Sequence, residues 1–229
     1  MSDRPSVLLF SGGMDSAALR FLKKPDKLLY VDLGTEYSAW ERSHLPADTI
    51  VLDLPALGQL ETTGGILPGR NLILATIASN YGDVIYLGAT KEDRVLDKTH
   101  EFCQRTTELL SYLWSPQWWT PGRQVSVETP LKNLTKVEIL WRYLEAGGSI
   151  DKLAEESYSC YQPKDDKPCW TCKPCVRKWM AFQKFGMNLS PVAQVYCRDV
   201  MLPKILDGKG ERPDEDALLL SLFHKESKS

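Results

Sequence analysis

The chain of 229 residues is 43% hydrophobic and 25% charged, with a formal net charge of −2. This length and composition allow one domain with a full hydrophobic core and a smaller appended unit. The charge balance excludes a global basic field for nucleic acid or an anionic membrane. No apolar run approaches the roughly 18 residues of a membrane-spanning helix, and "MSDRPSV" lacks the apolar region of a signal peptide. We therefore expect a cytoplasmic protein without membrane or nucleic-acid partners.

Short apolar runs alternate along the chain with longer segments whose apolar positions recur every three or four residues. The runs predict five strands: Val7–Phe10, Lys27–Asp32, Thr49–Asp53, Val84–Leu87 and Gln124–Val127. The longer segments predict five helices: Asp15–Lys24, Tyr37–His44, Arg70–Tyr81, Asp97–Trp114 and Lys136–Gly147. Thr135 and Glu138 form a capping-box pattern that would begin the last helix. The alternation predicts an α/β fold with a parallel sheet covered by helices on both faces.

The first predicted strand runs directly into "SGGMDS", where the first helix must begin. Gly12 and Gly13 permit positive φ angles and let a ligand approach the backbone closely. Consecutive amides in such a turn bind anions, the positive end of the helix reinforces them, and Ser11 and Ser16 add hydroxyl groups. The pattern is not a Walker loop, so it favours a phosphate chain without γ-phosphoryl transfer. The alternative is a simple strand–turn–helix junction in which Asp15 or a serine caps the helix.

Four of the six cysteines crowd into a short segment with the spacing C-x8-C-x2-C-x2-C: Cys160, Cys169, Cys172 and Cys175. In a reducing compartment this crowding indicates metal ligation rather than disulfides. Four thiolates about 2.3 Å from a metal make a closed tetrahedral zinc site, which would stabilise a small unit that lacks a core of its own. The alternative is an iron–sulfur cluster.

The pattern of the chain changes near residue 148 to cysteines, prolines and short helices. This change predicts a nucleotide-binding α/β domain at residues 1–147 and a zinc-binding helical region at residues 148–229. The final "HKESKS" is expected to be a disordered tail.

"SGGMDS" resembles the loop of the PP-loop ATP pyrophosphatases, which cleave ATP between the α- and β-phosphates and adenylylate a substrate. "ESYSCY" followed by C-x2-C-x2-C is similar to the zinc motif of the QueC family, the 7-cyano-7-deazaguanine synthases. "LPGRNLILATIAS", "LGATKED" and "ETPLKNLTKVEI" resemble further segments of that family in the same chain order. The chain is identified as a divergent QueC family member. This implies a Rossmann-like fold of the adenine nucleotide alpha hydrolase type with a small four-cysteine zinc unit.

The resemblance implies that the chain adenylylates 7-carboxy-7-deazaguanine with ATP and Mg²⁺ and converts it with ammonia to the nitrile. It implies three catalytic residues: Asp15, Arg70 and Lys136. Asp15 would aid Mg²⁺, and Lys136 would neutralise charge that develops on the α-phosphate. Ten residues would bind the nucleotide or the acid: Ser11, Gly12, Gly13, Asp15, Ser16, Gly34, Arg70, Asn71, Asp93 and Asp97. The four cysteines would carry Zn²⁺, and the chain would form a homodimer. The alternative for Arg70 and Lys136 is a solvated charge near a helix N-terminus.

Three stretches depart from the family pattern. "DLGTEYSAWE" keeps Gly34 but carries Glu36 near a position that is often basic in the family. "RVLDKTHEF" keeps Asp97 and Phe102 but loses the Tyr-Pro and Cys of the stretch that shapes the deazaguanine pocket. Trp170 replaces the glycine of the cysteine knuckle, which zinc binding should tolerate. These changes leave ATP chemistry intact and open the question of which acceptor receives the acyl group.

Three other functions therefore stay open. A QueC-like enzyme of a phage or antiphage system would join the adenylylated deazaguanine acid to another amine, such as one on a protein. A PP-loop enzyme that thiolates tRNA would bind tRNA and carry labile sulfur, which the acidic pI argues against. A zinc-knuckle binding module on an inactive nucleotide fold would turn over no ATP, which the nearly complete "SGGMDS" argues against.

The segment "YLWSPQWWTPG" concentrates three tryptophans: Trp114, Trp118 and Trp119. We predict packing or a subunit interface for them rather than a lid or a stacking platform for a heterocycle. Three histidines stand alone in the sequence: His44, His100 and His224. Each is expected to lie at the surface or to form hydrogen bonds rather than to act in catalysis.

Overall fold

A computed structural model of the chain describes residues 4–62, 66–210 and 212–223. The chain divides into two compact units, Met1–Asn133 and Leu134–Ser229, which are called here the first and second unit. The first unit contains five parallel strands: β1 (Ser6–Leu9), β2 (Lys27–Asp32), β3 (Thr49–Asp53), β4 (Val84–Tyr86) and β5 (Ser126–Glu128). Their order in the sheet is β3-β2-β1-β4-β5.

Four helices connect these strands: α1 (Met14–Lys23), α2 (Ser38–Ser43), α3 (Arg70–Ala78) and α4 (His100–Leu113). Two short 3₁₀ turns lie at Pro55–Leu60 and Leu96–Lys98. The second unit is helical: α5 (Lys136–Glu145), α6 (Ile150–Glu156), α7 (Lys173–Gln183), α8 (Pro191–Tyr196), α9 (Leu202–Leu206) and α10 (Pro213–Phe223). A π turn at Cys197–Met201 joins α8 to α9.

Alternating strand residues divide the sheet of the first unit between two layers of helices. One face buries a cluster of apolar side chains from the strands against α3 and α4: Val7, Leu29, Val31, Leu33, Ala75, Ala78, Ile85, Cys103 and Leu110. The residues between them, such as Leu8 and Tyr30, point to the opposite face. Tyr30 contacts α2 on that face through its hydroxyl group, and α1 buries Met14, Ala18 and Leu19. The parallel α/β fold with an attached helical unit is thus confirmed.

The ten predicted strands and helices are all present, with ends shifted by up to three residues. The capping box is confirmed, because the Thr135 side chain accepts from the Glu138 amide and the Glu138 carboxylate accepts from the Thr135 amide. No helix in the described ranges has the length and hydropathy of a membrane span.

The second unit has a hydrophobic core, so the expectation that the zinc site supports a unit without one was wrong. Helices α7, α8 and α10 bury six side chains together: Val176, Trp179, Met180, Ala193, Cys197 and Leu219. The apolar positions of "VRKWMAFQKF" recur at helical spacing, which predicts the helix that the structure shows as α7. Helix α5 groups with this second unit. The predicted domain boundary after residue 147 stays a prediction.

Candidate active site and metal centre

The glycine loop, residues 11–16, lies at the carboxyl end of β1, where the chain turns into α1. The sheet order changes direction between β1 and β4, and open α/β sheets bind ligands at that point. A Cβ atom built on Gly88, just after β4, would lie 4.0 Å from the amide nitrogen of Ser16. The segment "LGATKED" therefore runs beside the loop, as a nucleotide site at this edge would require.

The glycine loop has the backbone of an anion site. Gly12 has φ +72°, and a Cβ atom built on it would meet no described atom within 4 Å, so there is open space beside the backbone. Helix α1 begins after Gly13 without a side-chain cap, and the positive end of a helix favours an anionic ligand. The buried Ser16 hydroxyl donates to the Gly13 carbonyl oxygen at 2.9 Å, while Ser11 is exposed and Asp15 lies in the first turn of α1. The loop fits a phosphate chain on these grounds.

Gly34 is required by the backbone at the end of β2. Its φ is +72°, and its amide donates to the Asp32 carboxylate at 2.9 Å. A Cβ atom at this position would lie 2.6 Å from the Pro55 carbonyl oxygen and 2.8 Å from the Pro55 Cα. The structure thus gives this glycine a packing reason, and its predicted contact with the nucleotide stays a prediction.

Gly34→Ala should destabilise the protein by about 2–4 kcal/mol, from the positive φ and the overlap with Pro55 together. Gly69→Ala is the matched control, because Gly69 has φ +69° but a Cβ atom built on it would meet no described atom within 4 Å. It should cost only about 1 kcal/mol. Urea unfolding of both variants tests the difference. Equal losses would show that the chain at Pro55 moves aside without cost.

Arg70 begins α3 and faces two side chains that follow β2. Burial raises the pKa of both Tyr37 and Glu41. The charge of Arg70 opposes this rise by a smaller amount. Burial outweighs Arg70 at Glu41, and the pKa of this carboxyl rises to about 7. Glu41 also accepts a hydrogen bond of 3.1 Å from the Tyr30 hydroxyl. Glu36, the acid that departs from the family pattern, is exposed, and no pattern in the sequence marks Glu41 as the buried acid.

Asn71 and Asp97, both predicted to bind ligand, contact each other. The Asn71 amide donates to the Asp97 carboxylate at 3.2 Å, and its side chain donates to the Asp97 carbonyl oxygen at 3.0 Å. Asn71 is buried, so this pair fixes the start of α3 to the turn at Leu96–Lys98. The two residues therefore have a structural function, and any contact with ligand would come in addition.

Asp93 is held in a compact turn beside the end of β4. Its carboxylate accepts from the Thr90 amide at 2.8 Å and lies 3.3 Å from the Lys98 ammonium group. Lys132 donates to the carbonyl oxygens of Thr90 and Asp93, at 3.2 and 2.8 Å. Lys132 was not singled out from the sequence. It is the lysine of "TPLKNL", which follows β5 at the same edge of the sheet, and this position is the signal that could have found it.

The predicted catalytic lysine, Lys136, is the first residue of α5 in the second unit. It directly follows the Thr135 cap and is half-buried. Its predicted role at the α-phosphate stays a prediction.

The four predicted metal ligands come together. The Sγ atoms of Cys160, Cys169, Cys172 and Cys175 all lie within 4.8 Å of one another. A tetrahedron with metal–sulfur distances of about 2.3 Å has sulfur–sulfur distances of about 3.8 Å, and the Cys160–Cys172 separation is 4.0 Å. The donor set and its spacing thus fit a tetrahedral metal ion such as Zn²⁺.

Backbone amides support this cluster. The amides of Gln162 and Cys169 both donate to the Cys160 sulfur, and the Cys172 amide donates to the Cys169 sulfur, each at 3.3 Å. Such bonds stabilise thiolates and orient them toward a metal. The side chain of Cys175 also lowers the pKa of Cys172 by hydrogen bonding, so a thiolate is favoured there.

Trp170 shows why the family pattern has glycine at this position. Its φ is +58°, in the left-handed region that costs a non-glycine residue about 1–2 kcal/mol. Its ring packs against the core of the second unit, which offsets that cost. The chain therefore keeps the knuckle conformation with a different residue.

The aromatic segment packs in part, as predicted. Trp114 donates its indole N–H to Ser79 at 3.0 Å, and the Arg123 guanidinium lies 3.8 Å above its ring. Trp119 contacts Trp114 edge-on, with 5.4 Å between ring centroids. Trp118 is 97% exposed and packs on neither.

The histidines occupy local hydrogen-bonding positions where the structure describes them. His44 Nδ1 lies 2.9 Å from the carbonyl oxygen of Trp40, and His100 Nε2 lies 3.2 Å from the Asn133 side-chain oxygen. His224 and the predicted tail fall outside the described residues.

Comparisons with known proteins agree with this site. Residues 27–186 match the family model described as "Queuosine biosynthesis protein QueC". The chain is 26% identical to a 7-cyano-7-deazaguanine synthase of a Nitratiruptor species over 220 residues, covering 79% of this chain and 94% of that protein. It is 27% identical to the one of Methanothermobacter thermautotrophicus over 218 residues, covering 80% and 96%.

A third relative matches over a shorter segment. The 7-cyano-7-deazaguanine synthase of Methanococcus vannielii is 35% identical over 132 residues. This match spans about half of both proteins, 53% of each. Because the family model covers more than half of the chain, and because the glycine loop and the four-cysteine cluster are both formed, the chain belongs to the QueC family.

Proposed function

We propose that the chain is an ATP-dependent ligase that converts 7-carboxy-7-deazaguanine to 7-cyano-7-deazaguanine. A carboxylate oxygen of the substrate attacks the α-phosphorus of ATP, and pyrophosphate leaves. Ammonia then attacks the acyl carbon, and AMP leaves to give the amide. The amide oxygen attacks the α-phosphorus of a second ATP, and a second pyrophosphate leaves. Loss of AMP from carbon and of both protons from nitrogen then gives the nitrile. The glycine loop, which lies at the carboxyl end of β1 with open space at Gly12, carries the proposal for this chain.

The loop residues would hold the phosphates of ATP: Ser11, Gly12, Gly13, Asp15 and Ser16. The Asp15 carboxylate offers the oxygen ligand that Mg²⁺ prefers, and the ion would neutralise charge on the departing pyrophosphate. Arg70 would contact the nucleotide or the acid, and Lys136 would stabilise charge on the α-phosphate. Gly34, Asn71, Asp93 and Asp97 would shape the surrounding site. No nucleophilic side chain is needed, since alignment of the two reactants supplies much of the rate.

Zinc would be held by the four cysteines and would act structurally, because all four positions of a tetrahedral ion are filled by protein sulfur. It would fix the loop before α7 and leave no open position for substrate.

Asp15→Asn should lower AMP formation from Mg-ATP and 7-carboxy-7-deazaguanine at least about 100-fold, since Mg²⁺ loses a charged ligand. Asp48→Asn is the matched control, because Asp48 is an exposed aspartate of the same unit that pairs with Arg20 at 3.1 Å. It should leave the rate unchanged. Mass spectrometry of AMP, pyrophosphate and the deazaguanine products, with and without ammonium, measures both. Nitrile formation by Asp15→Asn at the rate of the native chain would contradict the role of the loop.

The stretch at residues 94–102 supports the alternative that another amine accepts the adenylylated acid. It contains the turn at Leu96–Lys98, in which Leu96 is 83% accessible, and it joins α3 through Asp97 rather than reproducing the family's Tyr-Pro and Cys. AMP with adenylate or amide but no nitrile would favour transfer to another amine, for example on a protein. No AMP at all would favour the inactive-fold alternative, and thiolated tRNA would favour the thiolation alternative. The homodimer stays a prediction that sedimentation equilibrium tests.

A further inference from the structure

A pocket of about 210 Å³ lies within the second unit, between α7, the π turn with α9, and the start of α10. Its lining includes three aliphatic or thioether side chains, Val176, Met180 and Ile205. The proposed ligase chemistry assigns nothing to it. The pocket is smaller than the sites that hold drug-sized ligands, so it suits one compact molecule.

The lining of this pocket is strongly cationic although the whole chain has a net charge of −2. Five basic side chains line it: Lys173, Arg177, Lys204, Lys209 and Arg212. Among the lining residues that the structure describes, the acidic side chains are Glu215 and Asp216, so these described residues have a net charge of +3. Such a concentration of one sign in a concave site raises the local concentration of counter-ions. The charge balance matches a ligand with two or three negative charges rather than a single carboxylate.

The acidic residues of the pocket are already engaged by the protein. The Asp216 carboxylate accepts from the Arg212 amide at 3.0 Å, which closes the turn before α10. Glu215 lies 2.7 Å from Arg177 and 3.8 Å from Arg212, so one carboxylate serves two guanidinium groups. The Nη2 atom of Arg177 is buried and has no hydrogen-bond partner within the described part of the chain. Guanidinium groups with donors to spare bind phosphate oxygens well.

We propose that this pocket binds a small phosphate monoester, with the phosphate among Arg177, Lys204 and Lys209 and the organic part against the apolar side chains. The site is independent of the proposed ligase reaction. The ligand is a small metabolite, because a pocket of about 210 Å³ has room for one phosphate group and one compact organic part.

Phenyl phosphate is the probe, since it combines a doubly charged phosphate with an apolar ring. Calorimetric titration of the full chain should show binding that weakens at least tenfold in Lys204→Glu/Lys209→Glu. Both lysines are exposed, so this variant should fold. Lys184→Glu is the matched control, because Lys184 is exposed near the end of α7 and does not line the pocket. It should bind phenyl phosphate as the native chain does.

Benzoate, which has the same ring and one charge, should bind at least tenfold more weakly than phenyl phosphate. Equal binding of the two would overturn the charge argument. Phenyl phosphate binding that Lys204→Glu/Lys209→Glu leaves unchanged would place the ligand elsewhere, such as on the glycine loop, and would overturn the proposal. The proposal would also be overturned if a short RNA, whose backbone supplies phosphate, binds to the chain while phenyl phosphate does not. AMP formation is measured on the same variants, and its loss or retention bears on the ligase reaction alone.

Discussion

Cys160→Ser should abolish stoichiometric zinc binding and loosen the segment between α6 and α7. Cys160 is 2% exposed and its sulfur accepts hydrogen bonds from two backbone amides, so it organises the loop as well as being a proposed ligand. Structural zinc sites bind with apparent free energies of about 10–16 kcal/mol in peptides, which far exceeds ordinary side-chain contributions. We expect metal analysis to fall from one zinc per chain to near zero after dialysis against a weak chelator.

The core of the second unit limits how far this loss spreads. The core that α7, α8 and α10 share contains none of the four clustered cysteines, so hydrogen exchange should rise at residues 157–175 and little within α10. Cys197→Ser is the matched control, because Cys197 is fully buried in the same unit but outside the cluster. It should cost about 1–3 kcal/mol for a buried hydroxyl while zinc content stays at one.

Two results would contradict the zinc centre. Full zinc content in Cys160→Ser would show that the ion is held elsewhere. Iron and a visible absorption band in the native chain would instead indicate an iron–sulfur cluster, which the four sulfur atoms could also hold.

Elements with strong local signals were predictable from the sequence. Strand β2 is a continuous apolar run between charged residues, and both its predicted ends are confirmed at Lys27 and Asp32. The clustering of the four cysteines was predictable because four thiols at short spacing are a typical ligand set of a structural zinc site. Helix ends were less well predicted: α3 ends at Ala78 rather than Tyr81, because tight turns satisfy the amides of the residues after it.

Contacts between distant polar residues were not predictable from one sequence. Asn71 and Asp97 are 26 residues apart, and no local pattern shows that they bind each other. Lys178 lies in the basic stretch "VRKWM", where a lysine is ordinarily solvated, yet it is 6% exposed and donates to the carbonyl oxygens of Ala154 and Ser157 at the end of α6. Burial lowers the pKa of Lys178 to about 8. Such positions depend on how helices pack, which periodicity does not encode.

Glu41→Gln should stabilise the protein at pH 8 by up to about 3 kcal/mol and have little effect near pH 5. Burial raises the pKa of Glu41 from 4.5 to about 7, so between these values the folded state binds more protons than the unfolded state. The native chain therefore loses stability as the pH rises from about 4.5 to about 7, and the full cost remains above that. Glutamine carries no charge, and its amide oxygen still accepts from Tyr30.

Urea unfolding of both proteins at pH 5 and pH 8 measures this difference. Glu36→Gln is the matched control, since Glu36 is an exposed glutamate of the same segment and should shift stability equally little at both values. The charges that face Glu41 come from Arg70, which favours the carboxylate, and from Asp32, which opposes it. An equal effect of Glu41→Gln at both pH values would show that Arg70 compensates the buried carboxylate. Glu41 is half-buried and, beside the predicted ligand-binding residue Arg70, its charged form destabilises the fold near neutral pH. An acid kept at a cost in stability is typical of a binding site.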